Sequence, residues 1–175
     1  NQQALVYDYS GSGTSWSQVG SAITNTGGSD MDSHTSINKE GNIIAVHEQT
    51  NQTVKIYQYD ATMTGSWKQL GTTLSDSYGS SGNFGEKMRL IAAGDMIIIG
   101  NRSQSSIQTY KYQNEDWSLV GSIIQGISNS EYGRAVAISG DGTKIVAGGF
   151  AADLNGTNSG YVQAWQWSQK SYINP

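Results

Sequence analysis

A repeat constrains this chain more than any other feature. Trp16, Trp67 and Trp117 stand 51 and 50 residues apart, and each opens a similar phrase: Trp16-Ser-Gln-Val-Gly20, Trp67-Lys-Gln-Leu-Gly71 and Trp117-Ser-Leu-Val-Gly121. An alternating aromatic pair precedes each phrase, at Tyr7/Tyr9, Tyr57/Tyr59 and Tyr110/Tyr112, and a fourth pair, Trp165/Trp167, lies near the end. A third phrase keeps the same register. Met31, Phe84 and Tyr132 are each followed ten residues later by glycine (Gly41, Gly94, Gly142) and three residues after that by isoleucine (Ile44, Ile97, Ile145). A period near 50 residues indicates stacked supersecondary units that bury their faces against one another.

Each unit reads as β. Ala135–Ser139, Gly140-Asp-Gly142 and Thr143–Ala147 spell strand, tight turn, strand, and Asp-Gly suits the positive φ of a hairpin turn. Lys39-Glu-Gly41 and Ala93-Gly-Asp95 hold the same place. A third strand follows at Val54–Tyr59, Ile107–Tyr112 and Tyr161–Trp167, and the Trp-led phrase makes a fourth. Four short antiparallel strands per unit predict an all-β fold of β-propeller blades. The 175 residues form a single propeller region, with units at about 1–23 (partial), 24–74, 75–124 and 125–175. The chain thus holds about three and a quarter blades, starting and ending in a third strand. Rings usually close with roughly four to eight, so the expected partners are further blades, in the same chain or in copies of itself. A small distorted ring is the alternative.

Composition narrows the class. The chain is rich in glycine (22), serine (24) and threonine (13), with 14% charged residues and a net charge of −4. That balance gives no basic surface for nucleic acid. No apolar run is long enough for a membrane helix, so no membrane insertion is expected. Five tryptophans and ten tyrosines argue against disorder. Cysteine is absent, which removes disulfides, thiolate metal sites and thiol nucleophiles.

The segment Tyr132-Gly-Arg-Ala-Val-Ala-Ile-Ser-Gly-Asp-Gly-Thr-Lys-Ile-Val-Ala-Gly-Gly149, with Asn83-Phe84-Gly85 as a second start and Met31-Asp32 as a degenerate third, resembles an FG-GAP-type or related β-propeller repeat of secreted and surface proteins. The resemblance implies the propeller fold. In that family some blades bind calcium through an acidic loop between the first two strands. Here those loops, 38–41, 92–95 and 139–142, carry one acid each, where calcium takes six to eight oxygens. No cofactor and no metal site is therefore expected. Asp153-x-Asn155-x-Thr157 has loose calcium-loop spacing and is read as a polar surface loop.

Candidate chemistry is sparse. His34 and His47 are the only histidines; both fall in strands and are read as surface or rim residues. Arg89, Arg102 and Arg134 invite comparison with the arginine cluster of propeller sialidases. They occupy unlike repeat positions, so solvated arginines at strand edges are expected. Asp30 and Asp32 are too close to Gly27-Gly-Ser29 to be more than turn chemistry. The recurring aromatics suit blade packing; sugar stacking would call on non-repeating loop aromatics such as Tyr78, Phe150 or Tyr172.

Three glycosylation sequons remain, Asn51-Gln-Thr53, Asn101-Arg-Ser103 and Asn155-Gly-Thr157. Each falls between the second and third strands of its unit, along one rim. They suggest a secreted or cell-surface glycoprotein with acceptors at Asn51, Asn101 and Asn155. No catalytic residue is assigned. The function expected on these grounds is a non-enzymatic extracellular structural, adhesion or scaffolding module that meets other extracellular proteins or glycans. A carbohydrate-binding lectin is the alternative, and a propeller enzyme with its catalytic residues in other blades is a weaker third reading.

Overall fold

A computed structural model describes residues 2–9, 15–24, 31–62, 65–76, 83–168 and 171–173, without the side chains of residues 32, 33, 171 and 172. The repeats become a fan of antiparallel sheets. Blade I is half a blade, in which β1 (Gln3–Ala4) pairs with β4 (Ile23–Thr24) and β2 (Tyr7–Tyr9) with β3 (Trp16–Gln18). Blade II runs in order through β5 (Met31–Ile37), β6 (Ile43–Glu48), β7 (Thr53–Asp60) and β8 (Ser66–Gln69), with β9 (Leu74–Ser75) also on β7. Blade III repeats this with β10 (Phe84–Leu90), β11 (Met96–Asn101), β12 (Ser106–Gln113), β13 (Asp116–Leu119) and β14 (Ile124–Gln125). Blade IV holds β15 (Ala135–Ile138), β16 (Lys144–Gly149), β17 (Tyr161–Ser168) and β18 (Ser171–Ile173). The blade count stays close to the one that the repeats predict, and the last blade is more complete. The described chain reaches a fourth strand, with Tyr172 opposite Trp167, and amounts to three and a half blades. Strand β10 packs on both β5 and β15, so the first strands are innermost in the fan. Among the described residues no helix is long and apolar enough to cross a membrane.

The first hairpin turn has one geometry in three blades. The N–H groups of Asn38, Ile91 and Ser139 donate to the carbonyls of Ile43, Met96 and Lys144 at 2.8–3.0 Å, and Gly41, Gly94 and Gly142 N–H close the turn at 2.9–3.2 Å. Only the glycine has positive φ, at 72°, 83° and 72°. These are four-residue loops around a type I turn, not the two-residue primed turn that Asp-Gly suggests. Asp141 instead caps its turn through Oδ1, which accepts from Ser139 Oγ and from Thr143 N and Oγ1. Those bonds pull its carboxyl down to about 2.

Two interlocks join the blades. In the outer one, a Trp of one blade reaches back to the phrase of the blade before. Trp67 Nε1 donates to Val19 O at 3.0 Å, and Trp117 Nε1 to Leu70 O at 2.8 Å. The next residue is in each case a left-handed glycine, Gly20 or Gly71. A Cβ on Gly71 would lie 2.7 Å from Trp117 Cδ1. In the inner interlock, Phe84 and Tyr132 are completely buried. Phe84 joins the core of Val54 and Leu74, and Tyr132 that of Ile107 and Ile124. Gly85 and Gly133, at φ 95° and 94°, then press against the preceding blade. A Cβ on Gly85 would sit 2.6 Å from His47 Cδ2, and one on Gly133 2.4 Å from Ser106 O. Only a left-handed residue without a side chain fits there.

Candidate functional site

The inner interlock shapes the inner wall of the fan. Phe84 pairs with Asn101 but Lys87 with Gly100, so Gly85 and Glu86 form a bulge, a device that re-aims side chains. Beyond it the strand alternates, with Met88 and Leu90 in the core and Lys87 and Arg89 exposed on the other face. On the neighbouring first strand, β5, His34 is half-buried. Lys87 Nζ lies 3.0 Å from His34 Nε2. An ammonium only donates, so Nε2 accepts and the ring proton sits on Nδ1. His34, Thr35, Glu86, Lys87, Arg89 and Val136 line a cavity of about 200 Å³.

Glu86 is fixed from its far side. Its Oε2 accepts from Arg102 Nε at 2.8 Å and its Oε1 from Asn83 Nδ2. Burial pushes the Glu86 carboxyl up, but the Arg102 hydrogen bond and charge, helped by Asn83, outweigh it and hold the carboxyl below its ordinary value. Arg102 also approaches Glu131 Oε2 at 3.5 Å, and Arg134 binds that oxygen at 2.6 Å. These pairs are partly exposed and so add little stability; their effect is positional, tying the starts of β10 and β15 together. Glu86 is thus compensated by Arg102. Lys87 and Arg89 have no carboxylate within ion-pair distance among the described residues, which leaves the cavity net positive and able to hold an anion beside a proton acceptor.

A second polar group is structural. Asp76 accepts from Asn101 Nδ2 at 2.5 Å and Gln108 Nε2 at 2.8 Å, and Tyr110 OH donates to Gln108 Oε1 at 2.6 Å. Burial, then the nearby Asp76 charge, pushes the Tyr110 hydroxyl up to about 12.

Several sequence-based expectations change here. His47 is completely buried rather than at the rim, and its ring lies 6.1 Å from that of His34. Consecutive strands β5 and β6 place both on one wall. Arg102 and Arg134 are not independent solvated arginines, since they meet at Glu131; Arg89 does stand exposed. Asn51 and Asn155 are exposed, whereas Asn101 is buried with its carboxamide bonded to Asp76 and to Gln104 N–H. A glycan on Asn101 Nδ2 would displace the Asp76 bond. Asp153 Oδ1 accepts from Asn158 N, and no group of three or more His, Asp or Glu is placed to hold a metal among the described residues. Tyr172 belongs to β18 rather than to a loop, and Phe150 lies under Arg134 with the guanidinium 4.8 Å from the ring centre. Tyr78, Asp30 and Gly27–Ser29 fall outside the described residues, as does the side chain of Asp32. The Glu86–Arg102–Glu131–Arg134 chain escaped sequence reasoning because its members come from separate units, and Glu86 and Arg134, at the same repeat position, carry opposite charges. The signal for it was the aromatic–glycine pair that makes the bulge.

No family model and no curated protein matches the chain, so the FG-GAP-type resemblance has no family match behind it. Solved structures do match. A protein of Bacteroides uniformis provisionally assigned as a 6-phosphogluconolactonase shares 15% identity at a TM-score of 0.65, over 98% of this chain and 47% of its own. The periplasmic gluconolactonase of Pseudomonas aeruginosa shares 15% at 0.65, over 97% and 46%. The β-propeller domain of Myceliophthora thermophila Cps50 (Swd1) shares 15% at 0.52, over 81% and 42%. The chain is a β-propeller assembly and spans about half the length of these structures. They also correct the functional expectation. The non-enzymatic adhesion or scaffolding reading, with its lectin alternative, rested on the repeats, the low charge and the lack of a catalytic constellation in the sequence, whereas the first two neighbours carry the names of lactonases.

Proposed function

We propose that the chain is one sector of a larger propeller that hydrolyses sugar lactones, with His34, Lys87 and Arg89 on its inner wall facing the substrate. The observation that carries this is the net positive cavity with a histidine acceptor, set on the innermost strands of a fold shared with proteins named as gluconolactonases. Lys87 turns from His34 Nε2 to the lactone carbonyl oxygen and stabilises the charge that develops there. The freed Nε2 takes a proton from the attacking water. The bond from carbonyl carbon to ring oxygen breaks, the proton returns to that oxygen, and the product is the open hydroxy acid. Arg89, two residues along the same face, holds an anionic substituent. Glu86, clamped by Arg102, sets a fixed negative charge on the wall of the same cavity. The step draws on side chains alone.

Two further readings belong with this one. The Tyr132-Gly133 phrase is an FG-GAP-like opening of a blade, and residues 1–175 act as one propeller region completed by further blades. The protein works outside the cytoplasm, supported by the periplasmic neighbour and by the exposed Asn51 and Asn155 sequons.

The test is lactone opening by the intact protein, followed with glucono-δ-lactone and its 6-phosphate against the spontaneous rate. His34→Gln should lower kcat by about 10²-fold or more. Arg89→Gln should raise KM for the phosphorylated lactone more than for the neutral one. No acceleration of either lactone, or His34→Gln hydrolysing as wild type, contradicts the proposal.

A further inference from the structure

The outer face of blade IV reproduces the face that receives the inner interlock in blades II and III. Val162 stands opposite Gly148 as Ile107 stands opposite Gly100 and Val54 opposite His47. In blade III the seat is made of Ser106 O, Asn101 N and Gly100 Cα, which lie 2.4, 3.0 and 3.2 Å from a Cβ built on the incoming Gly133. A Cβ on Gly100 itself would come 2.0 Å from Gly133 O, so blade III receives the incoming glycine on a bare backbone, where blade II receives Gly85 beside the His47 ring. Blade IV offers the same three groups, Tyr161 O, Gly149 N and Gly148 Cα. They line an open cavity of about 420 Å³ with Phe150 and Val162, and Val162 is 70% exposed where Ile107 is 1%. Within blade IV, a Cβ on Gly148 meets nothing nearer than 3.2 Å.

The geometry points to this cavity as a socket for a further blade whose innermost strand opens with an aromatic–glycine pair, the glycine left-handed. The inference rests on the larger-propeller reading above and adds what the next blade must present. It selects against a second copy of this chain. Phe84 and Tyr132 are already completely buried in their own seats, and blade II begins with Met31-Asp32, which lacks the glycine.

The test uses the ¹⁵N-labelled chain and, as probe, a synthetic peptide of residues 132–147, which carries one aromatic–glycine hairpin. The peptide should shift the amides of Gly148, Gly149 and Val162. Changing the peptide's Gly133→Ala, or Val162→Asp in the chain, should weaken binding at least tenfold. Because Val162 is exposed, the latter variant keeps its fold, checked by its circular dichroism. The inference is overturned if the peptide does not bind, if it shifts other surfaces, if the alanine peptide binds as well, or if the chain dimerises through this face and Val162→Asp abolishes that dimer. All outcomes are read without lactone, so they are independent of the hydrolysis proposal.

Discussion

Blades III and IV are written in the same grammar and are buried very differently. In β12 residues 106–109 are all buried, whereas β17 alternates half-buried and exposed along its length. Ile107 and Val162 share a register, yet only Ile107 has a blade on its outer side. Sheet propensity and turn chemistry make each blade, but burial comes from the neighbour. The same holds at the other end of the fan. Trp67 and Trp117 dock on the preceding blade, while Trp16, in the same phrase, is 66% exposed. Repeat architectures behave this way because each unit contacts only those beside it.

The sharpest break in the comparison comes from removing side chains at the two kinds of face. Tyr132→Ala should cost about 3–5 kcal/mol, since a buried ring between blades III and IV is lost. Val162→Ala should cost less than about 0.5 kcal/mol. Chemical denaturation of both variants checks this, and equal losses would erase the distinction between inner and outer faces. Glycine substitutions sharpen it next. Gly71→Ala meets Trp117 as well as left-handed strain and should cost roughly 2–4 kcal/mol. Gly41→Ala, whose Cβ would meet only Ile37 Cδ1 at 4.0 Å, should cost about 1 kcal/mol. Thermal unfolding should rank the two in that order.

Smaller effects follow from single polar groups. Trp117→Phe removes the bond to Leu70 O and should lose about 1–2 kcal/mol, while Trp16→Phe leaves the melting temperature unchanged. Tyr110 stays protonated in the fold up to about pH 12, against an ordinary value near 10. Above pH 10 the unfolded chain loses that proton first, so stability falls as pH rises from about 10 to about 12 and the contribution is level outside that window. Allowing for partial solvent exposure, the fall is about 1 kcal/mol. A Tyr110→Phe variant, compared with wild type by urea unfolding at pH 9 and pH 11.5, should lack that share of the loss.

Much of the fold was legible. The register of Met31, Phe84 and Tyr132 with their glycines and isoleucines encodes the hairpins, and Asp141-Gly142 marks a turn even though the turn type differs. The fourth strand of blade IV was hidden because Tyr172 takes the place held elsewhere by Trp, with Trp167 across from it. The site was largely illegible. His34 and Lys87 are 53 residues apart and at the same repeat position, so a reading that aligns repeats treats them as alternatives rather than as neighbours. Stacking the innermost strands turns equivalence in sequence into contact in space. Asn101 shows the converse: its sequon reads as surface, but the Asp76 bond that buries it comes from a residue 25 positions earlier.

Native-state hydrogen exchange on the intact chain tests the central claim most directly. If neighbouring blades supply the burial, the amides of β12 should exchange roughly a hundredfold more slowly than those of β17. Equal protection in the two strands would show that each sheet is stable by itself, and would contradict the account.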